Sequence, residues 1–135
     1  MDRMSLKAEV RKTDDDPINP DVSYTQNIAI SYLLNRAPRT FSAAIRMMTE
    51  IKYKYPDFKP QSFLDFGGGL SAGACAFIDI FEQTEEVYSV EPAAKMRKLS
   101  KFLTEGMQIQ HFETLGEMAS RIDQVDIAYA GYVLN

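Results

Sequence analysis

The sequence predicts an α/β fold in which a parallel sheet of the nucleotide-binding type follows a helical segment. The first observation is the stretch 62–73, where a short apolar run ends in Asp65, breaks into glycines at 67–69 and then opens a helix-like segment. The second is an apolar run at 87–90 that ends in Glu91. A glycine loop between a strand and a helix, followed by a strand with an acidic tip, is typical of Rossmann-like sheets.

The chain divides into three predicted segments. Residues 1–22 lack helical or strand periodicity, and an acidic run just before Pro17 predicts an extended or disordered arm. Residues 23–60 are predicted to be a helical N-terminal segment. Residues 61–135 are predicted to be the N-terminal half of a Rossmann-like domain.

Two helices are predicted within the helical segment. The first covers 23–36 and is expected to end at Ala37-Pro38. Its apolar face would hold Ile28, Tyr32 and Leu33. The second helix carries apolar residues at steps of three and four, a spacing that predicts a stripe packed on a core. This stripe consists of Phe41, Ala44, Ile45, Met48, Ile51 and Tyr55, and Pro56 closes the helix.

Strands and helices alternate after Pro60. Strands are predicted at 62–66, 87–90, 108–112 and 125–130, and helices at 72–82, 94–105 and 115–121. Gly106 is expected to terminate the second of these helices, and the spacing of Thr114 and Glu117 predicts a capping box at the start of the third. Short links between alternating elements require right-handed crossovers, which predict four parallel strands in the order 3-2-1-4.

Four strands are fewer than a doubly wound sheet usually has. The fourth would be an open, apolar edge, which favours association unless another segment pairs with it. A complete fold of this type has about three more strands. We therefore expect a fragment, a split gene product, or a chain whose sheet is completed by a second polypeptide.

Composition limits the classes of protein that are compatible with the chain. Its 135 residues allow one domain at most, and no apolar run is long enough for a membrane helix. The N-terminus shows no secretory signal, and its early acids make a poor transit peptide. One cysteine, Cys75, excludes an internal disulfide framework and a multi-cysteine metal site, so we interpret it as a small buried residue. His111 is interpreted as an ordinary core or surface histidine.

Charge is distributed unevenly along the chain. Residues 1–60 hold ten Lys+Arg and eight Asp+Glu, a net +2, whereas residues 61–135 hold five and eleven, a net −6. An acidic second half argues against that half binding a phosphate backbone by charge alone. Basic residues gather instead in the helical segment, at Arg36, Arg39, Arg46, Lys52, Lys54 and Lys59.

The glycine loop suits two cofactor classes. Gly67 allows a sharp turn out of the strand, and Gly69 allows close approach of a ligand. A dinucleotide site would use Gly67, Gly69 and Ala72 as its fingerprint. An S-adenosylmethionine site wants an acid before Gly-x-Gly-x-Gly, and Asp65 ahead of the loop favours this class. A scaffold without a cofactor is the third alternative.

Several segments together carry a family resemblance. They are YLLNRAPRT at 32–40, YPDFKP at 55–60 and SFLDFGGG at 62–69, with VEP at 90–92 and DIAYAGYVLN at 126–135 matching in kind. From about residue 24 to its end, the chain resembles the methyltransferase-like family associated with the small subunit of the mitochondrial ribosome. The glycine loop is common to many methyltransferases, whereas the segment ahead of it is more specific.

The resemblance implies a class I S-adenosylmethionine-dependent methyltransferase fold in the mitochondrial matrix. It implies binding to the small ribosomal subunit or its precursor, through rRNA and ribosomal proteins and without a membrane. Asp65, Gly67, Gly69 and Glu91 fall on donor-binding positions, whereas Ser71 replaces the usual third glycine. A Cβ at this position is expected to crowd the loop, so that donor binding is weakened or lost.

The resemblance also implies which other sites to expect. The basic helices, with Arg36, Arg39 and Arg46, are the expected RNA-binding surface, and a solvated helix face is the alternative. The family's later half often carries cysteines suited to an iron–sulfur cluster or zinc, but with Cys75 alone no metal site is assigned.

The leading hypothesis is that the protein is a structural component or assembly factor of the mitochondrial small ribosomal subunit, with a methyltransferase-like fold that has lost its catalytic activity. No catalytic residue is predicted, because the segment 128–135 lacks the Asp/Asn-Pro-Pro motif of amine methyltransferases and no general base is evident. The alternatives are one half of a split, active rRNA methyltransferase and, more remotely, a dinucleotide-binding fragment.

Overall fold

The computed structural model describes residues 26–131, which form a parallel sheet with helices on both faces. The helices are α1 (Gln26–Asn35), α2 (Ala37–Lys54), α3 (Ala72–Ile80), α4 (Ala94–Leu103) and α5 (Leu115–Ala119), and the strands are β1 (Ser62–Phe66), β2 (Glu86–Val90), β3 (Ile109–Phe112) and β4 (Ile127–Tyr129). All pairings are parallel, and the strand order is β3-β2-β1-β4, so the predicted α/β topology is confirmed. Predictions for residues 1–25 and 132–135 lie outside the described residues.

The ends of several elements differ from the prediction. Helix α1 ends at Asn35, one residue before its predicted end, and Pro38 then occupies the first turn of α2, where a missing N–H costs nothing. The helix after the glycine loop ends at Ile80, because Phe81 is extended and turns into the core. The strand predicted at 125–130 is shorter, and Val125 packs under the sheet before β4 begins.

Two local signals in the second half have the predicted geometry. Gly106 adopts φ +85° just after α4, a conformation that favours glycine. At the start of α5 the Thr114 hydroxyl accepts a hydrogen bond from the Glu117 N–H at 3.1 Å. The Glu117 carboxylate in turn accepts one at 3.1 Å from the N–H of Glu113, one residue before the N-cap, and not from the Thr114 N–H of a standard capping box.

Alternate residues of the strands build a core on each face of the sheet. On one face Phe63 of β1 packs with Phe77 of α3 and Met48 of α2, and the two phenyl rings stack with centroids 4.6 Å apart. On the other face Leu64 and Tyr88 pack with α5 and the loop that follows it. The helical segment therefore belongs to the same core as the sheet.

Helix α2 buries a narrower stripe than its periodicity predicts. Ala44 and Met48 are fully buried and Ile51 packs against the core. Phe41 is 36% exposed and Tyr55, which follows the last helical residue, is 63% exposed, so their predicted burial is wrong. Among the described helices none is long and apolar enough to cross a membrane.

Candidate functional site

Asp65 lies at the carboxyl end of the central strand β1, and its carboxylate caps the helix that follows. Its Oδ2 accepts a hydrogen bond from the Ala74 N–H at 2.9 Å in the first turn of α3, and the Gly73 N–H also favours the charged form. Burial nevertheless raises the pKa of the carboxyl group to about 6. The N–H groups at the start of a helix can bind an anion, and at α3 the Asp65 carboxylate itself occupies this position. The Asp65 side chain is therefore directed at the helix and not at the glycine loop.

The conformation of the glycine loop is fixed by positive φ angles and by hydrogen bonds to Glu91. Gly67 and Gly69 adopt φ +67° and +54°, conformations that L side chains rarely adopt. Glu91 follows β2, and its two carboxylate oxygens accept hydrogen bonds from the Gly69 N–H at 2.9 Å and the Ala93 N–H at 2.8 Å. The predicted donor-site residues therefore converge at one edge of the sheet, where the carboxyl ends of β1 and β2 meet.

Ser71 does not project into the loop, contrary to the expected crowding by its Cβ. Its backbone adopts φ +60°, the conformation that glycine would favour, and the residue is fully buried. Its hydroxyl is hydrogen-bonded to the Ser89 hydroxyl at 2.9 Å and to the Ser100 hydroxyl at 2.7 Å. The lost glycine has become part of a buried serine cluster that joins the loop to β2 and α4.

Substitution of Ser71 tests this exchange of backbone strain for hydrogen bonds. Ser71→Gly relieves a left-handed backbone strain of about 1–2 kcal/mol but removes two hydroxyl contacts, so we expect a loss of about 1 kcal/mol in the free energy of unfolding. Ser71→Ala keeps the strain and leaves Ser89 and Ser100 unpaired, so we expect about 2 kcal/mol. Urea unfolding measures both. A Ser71→Gly variant more stable than wild type would contradict the role of the cluster.

Gly73 brings the end of β4 against the start of α3. A Cβ added at Gly73 would lie 2.6 Å from Cδ1 of Tyr129 and 2.9 Å from Oδ2 of Asp65. The Tyr129 ring also stacks on Phe63, with centroids 6.3 Å apart. Tyr129 is therefore a wall of the site, a position that sequence reasoning did not single out.

Gly73→Ala is expected to be destabilising although alanine is the better helix former. The new methyl group must displace the Tyr129 ring or the Asp65 carboxylate, which we expect to cost about 2–3 kcal/mol. Gly116→Ala is the matched control, because the Cβ there meets only the Thr114 hydroxyl at 3.9 Å. That control is expected to gain about 0.5 kcal/mol from helix propensity. Equal unfolding midpoints for the two variants would contradict this packing.

Tyr32 of α1 is a site residue that the sequence analysis placed only on a helix face. A Cβ at Gly69 would lie 3.3 Å from its hydroxyl oxygen. Burial raises the pKa of this hydroxyl, and the charges of Glu91 and Asp65 act in the same direction, whereas a hydrogen bond with Thr40 opposes them. The N-terminal helix therefore covers the glycine loop, and no periodicity could have indicated this contact.

The three predicted RNA-binding arginines lie on the exposed side of the helical segment. Arg36 precedes α2, and Arg39 and Arg46 lie on α2 away from its buried Ala44 and Met48. None of the three forms a salt bridge with a described residue. They make up a basic surface, of which Arg36 is near enough to the glycine loop that its charge lowers the pKa of the Tyr32 hydroxyl.

Cys75 and His111 have no catalytic surroundings in the described part of the chain. Cys75 is half-buried, and burial raises the pKa of its thiol, which disfavours the reactive thiolate. His111 contacts the Thr104 hydroxyl at 3.3 Å, and burial lowers its pKa. Within residues 26–131 no group of three or more His, Cys, Asp or Glu could hold a metal ion.

Comparison with known proteins identifies the family. The family model described as "Mitochondrial small ribosomal subunit Rsm22" matches residues 26–135. The chain belongs to the Rsm22 family. It is also similar to the human protein named "Ribosome assembly protein METTL17, mitochondrial", with 32% identity over 87 residues, 64% of this chain and 19% of METTL17. The predicted resemblance is confirmed, and both this relative and the Rsm22 family carry mitochondrial names.

A solved methyltransferase shares the fold. The plantazolicin methyltransferase BamL, crystallised in complex with a triazolic desmethylPZN analog and SAH, aligns with a TM-score of 0.58 over 91% of this chain and 47% of its own. At 18% identity this likeness shows the fold alone, and it confirms the predicted class I methyltransferase architecture. The chain spans about a fifth of METTL17 and about half of BamL.

Proposed function

We propose that this protein is a structural component or assembly factor of the mitochondrial small ribosomal subunit, with a methyltransferase-like fold used for binding. The observation that carries the proposal is the Rsm22 match over residues 26–135, which includes the whole described sheet and its helical segment. The name of METTL17 as a mitochondrial ribosome assembly protein supports the same role and location. The expected partners are small-subunit rRNA and ribosomal proteins.

We propose S-adenosylmethionine, or its product, as the ligand of the glycine loop. The residues present fit such a ligand at Gly67 and Glu91, since Gly67 makes the turn out of β1 with φ +67° and Ser71 turns inward, whereas Gly69 packs against the Tyr32 hydroxyl. Each Glu91 carboxylate oxygen accepts one backbone N–H and has capacity for a ribose hydroxyl. When bound, this cofactor supplies an activated methyl group. Asp65 would order the start of α3 beside it, and no residue is assigned a catalytic role.

A further segment is proposed to pair with the outer edge of β4. In the described sheet β4 pairs only with β1, and its other edge has no described strand beside it. Unpaired strand edges bind other segments readily. Either the rest of a longer chain or a second polypeptide would meet this requirement.

The basic surface of α2 is proposed to contact rRNA, and a triple substitution tests this. Replacing Arg36, Arg39 and Arg46 with alanine removes three charges that form no salt bridge with residues 26–131, each worth a salt-dependent phosphate contact. We expect small-subunit rRNA recovered with the tagged protein from mitochondria to fall at least several-fold. Arg121→Ala is the control, since Arg121 pairs with Glu117 at 3.8 Å on the opposite face of the sheet. Unchanged rRNA recovery in the triple variant would exclude this surface.

The second candidate is one half of a split, active rRNA methyltransferase. The position of Glu91 favours it, because an acid that follows the second strand beside the glycine loop is where folds of this type hold the ribose hydroxyls of a cofactor. Calorimetric titration of the protein, together with any partner that completes its sheet, tests this function. No detectable binding at millimolar S-adenosylmethionine would exclude it.

A further inference from the structure

Helix α4 carries an unusual share of the positive charge in its half of the chain. Residues 61–135 hold only five basic residues against eleven acidic ones, and four of the five lie within this ten-residue helix. They are Lys95, Arg97, Lys98 and Lys101, and the helix has no acidic residue. The composition of residues 61–135 does not explain this concentration of basic residues in one helix, because acidic residues outnumber basic ones by eleven to five in that half of the chain.

The four cations of α4 have different roles. Arg97 turns back onto the protein, where its guanidinium donates to the Glu91 carbonyl at 2.7 Å and approaches the Glu113 carboxylate at 3.4 Å. Lys95, Lys98 and Lys101 are exposed, and none forms a salt bridge with a described residue. Arg97 is therefore bound to the protein itself, whereas the ammonium groups of Lys95, Lys98 and Lys101 are accessible to a partner.

An exposed aromatic ring lies on the same side of the helix. Phe102 is 72% exposed although α4 buries Met96 and Ser100 on its inner side. Helical spacing places Lys95, Lys98 and Phe102 on one face, at steps of three and four. We call Lys95, Lys98, Lys101 and Phe102 the α4 basic face.

We propose that the α4 basic face binds single-stranded RNA. Proteins that bind single strands combine cations that follow the phosphates with exposed aromatic rings on which bases stack, and this face provides both. The surface is distinct from the arginines of α2, and the inference rests on the proposed ribosomal function. It names a second RNA contact, in the half of the chain whose net charge argues against one.

Fluorescence anisotropy of a labelled oligouridylate with the full chain tests the proposal. We expect Phe102→Leu to weaken RNA binding roughly tenfold, because stacking on the ring is lost. The Phe102→Tyr variant keeps an aromatic ring and is expected to bind RNA as tightly as the wild type. We expect Lys98→Ala to reduce the slope of log affinity against log salt by about 0.7, the value for one phosphate contact on a single strand. Arg121→Ala, with the same change in charge on the other face of the sheet, should alter neither quantity.

The other outcomes overturn the inference in distinguishable ways. Loss of binding in the triple arginine variant, with no effect at Phe102 and Lys98, would remove the α4 site and leave the proposed function intact. No binding of the oligonucleotide by the wild-type chain would overturn the α4 site alone, since the proposed function does not require affinity for a single strand and is decided by sedimentation with the small subunit. An effect at Lys98 without one at Phe102, or equal competition by polyglutamate, would overturn RNA as the partner and point to an acidic protein surface.

Discussion

The free energy of unfolding of an Asp65→Asn variant is expected to change less with pH than that of the wild type. Burial raises the pKa of the Asp65 carboxyl group from its ordinary value of 3.8 to about 6 in the folded state. The folded state therefore holds this proton more tightly than the unfolded state, and stability is lost as pH rises from about 4 to about 6. The difference between the two proteins should change by about 3 kcal/mol over this range.

The Asp65 experiment separates one carboxyl group from all others. Asparagine keeps an oxygen that can accept the Ala74 N–H but cannot ionise, so at pH 7.5 we expect the variant to be at least as stable as the wild type. Asp126 is the control of opposite sign, because hydrogen bonds from the Gln61 and Ser62 N–H groups lower its pKa. Its contribution is lost as pH falls. Parallel pH profiles for wild type and Asp65→Asn would contradict the buried position of Asp65.

The free energy of unfolding is expected to fall by about 4 kcal/mol when Phe63 is replaced with alanine. Phe63 is completely buried in β1, and its ring lies nearly parallel to that of Phe77, at 14°. Removing it leaves a cavity among α2, α3 and the sheet, where Met48 and Val87 would lose contacts. The total free energy of unfolding of a domain of this size is about 5–15 kcal/mol, so a loss of about 4 kcal/mol is a large fraction of it.

Urea unfolding of Phe63→Ala needs two comparisons. Phe63→Leu keeps most of the volume and should cost roughly 1 kcal/mol. Tyr53→Ala removes an aromatic ring that is 83% exposed and should change stability by no more than about 0.5 kcal/mol. A loss below about 1 kcal/mol for Phe63→Ala would contradict the burial of Phe63 in the core that α2, α3 and the sheet form.

Much of the fold could be predicted because each element carries its own local signal. The largely apolar run 62–66 contains Asp65 near its end and is followed by glycines, which indicates a strand and a loop. The spacing of Thr114 and Glu117 indicates the start of α5. Such signals act within one turn or one strand. Element ends were less predictable, since Pro38 suits both the end of one helix and the first turn of the next.

The site residues that could be predicted are those that lie in or close to the glycine loop in sequence, or at the end of the next strand. Asp65, Gly69 and Glu91 could be located from spacing, and the structure brings them together. Tyr32 and Tyr129 could not, because the packing of α1 brings Tyr32 to the loop and the packing of β4 brings Tyr129 to the first turn of α3, which no local pattern specifies. The direction of Ser71 was also unpredictable, since it depends on hydroxyl groups supplied by β2 and α4.

Sedimentation of mitochondrial lysate on a density gradient, with this protein followed by mass spectrometry, tests the central claim most directly. The proposed function predicts that the protein migrates with the small ribosomal subunit or its precursors, and that nuclease treatment of the lysate shifts it to lighter fractions. Migration as a small free species before nuclease treatment would contradict a ribosomal role. It would favour an enzyme that acts apart from the subunit.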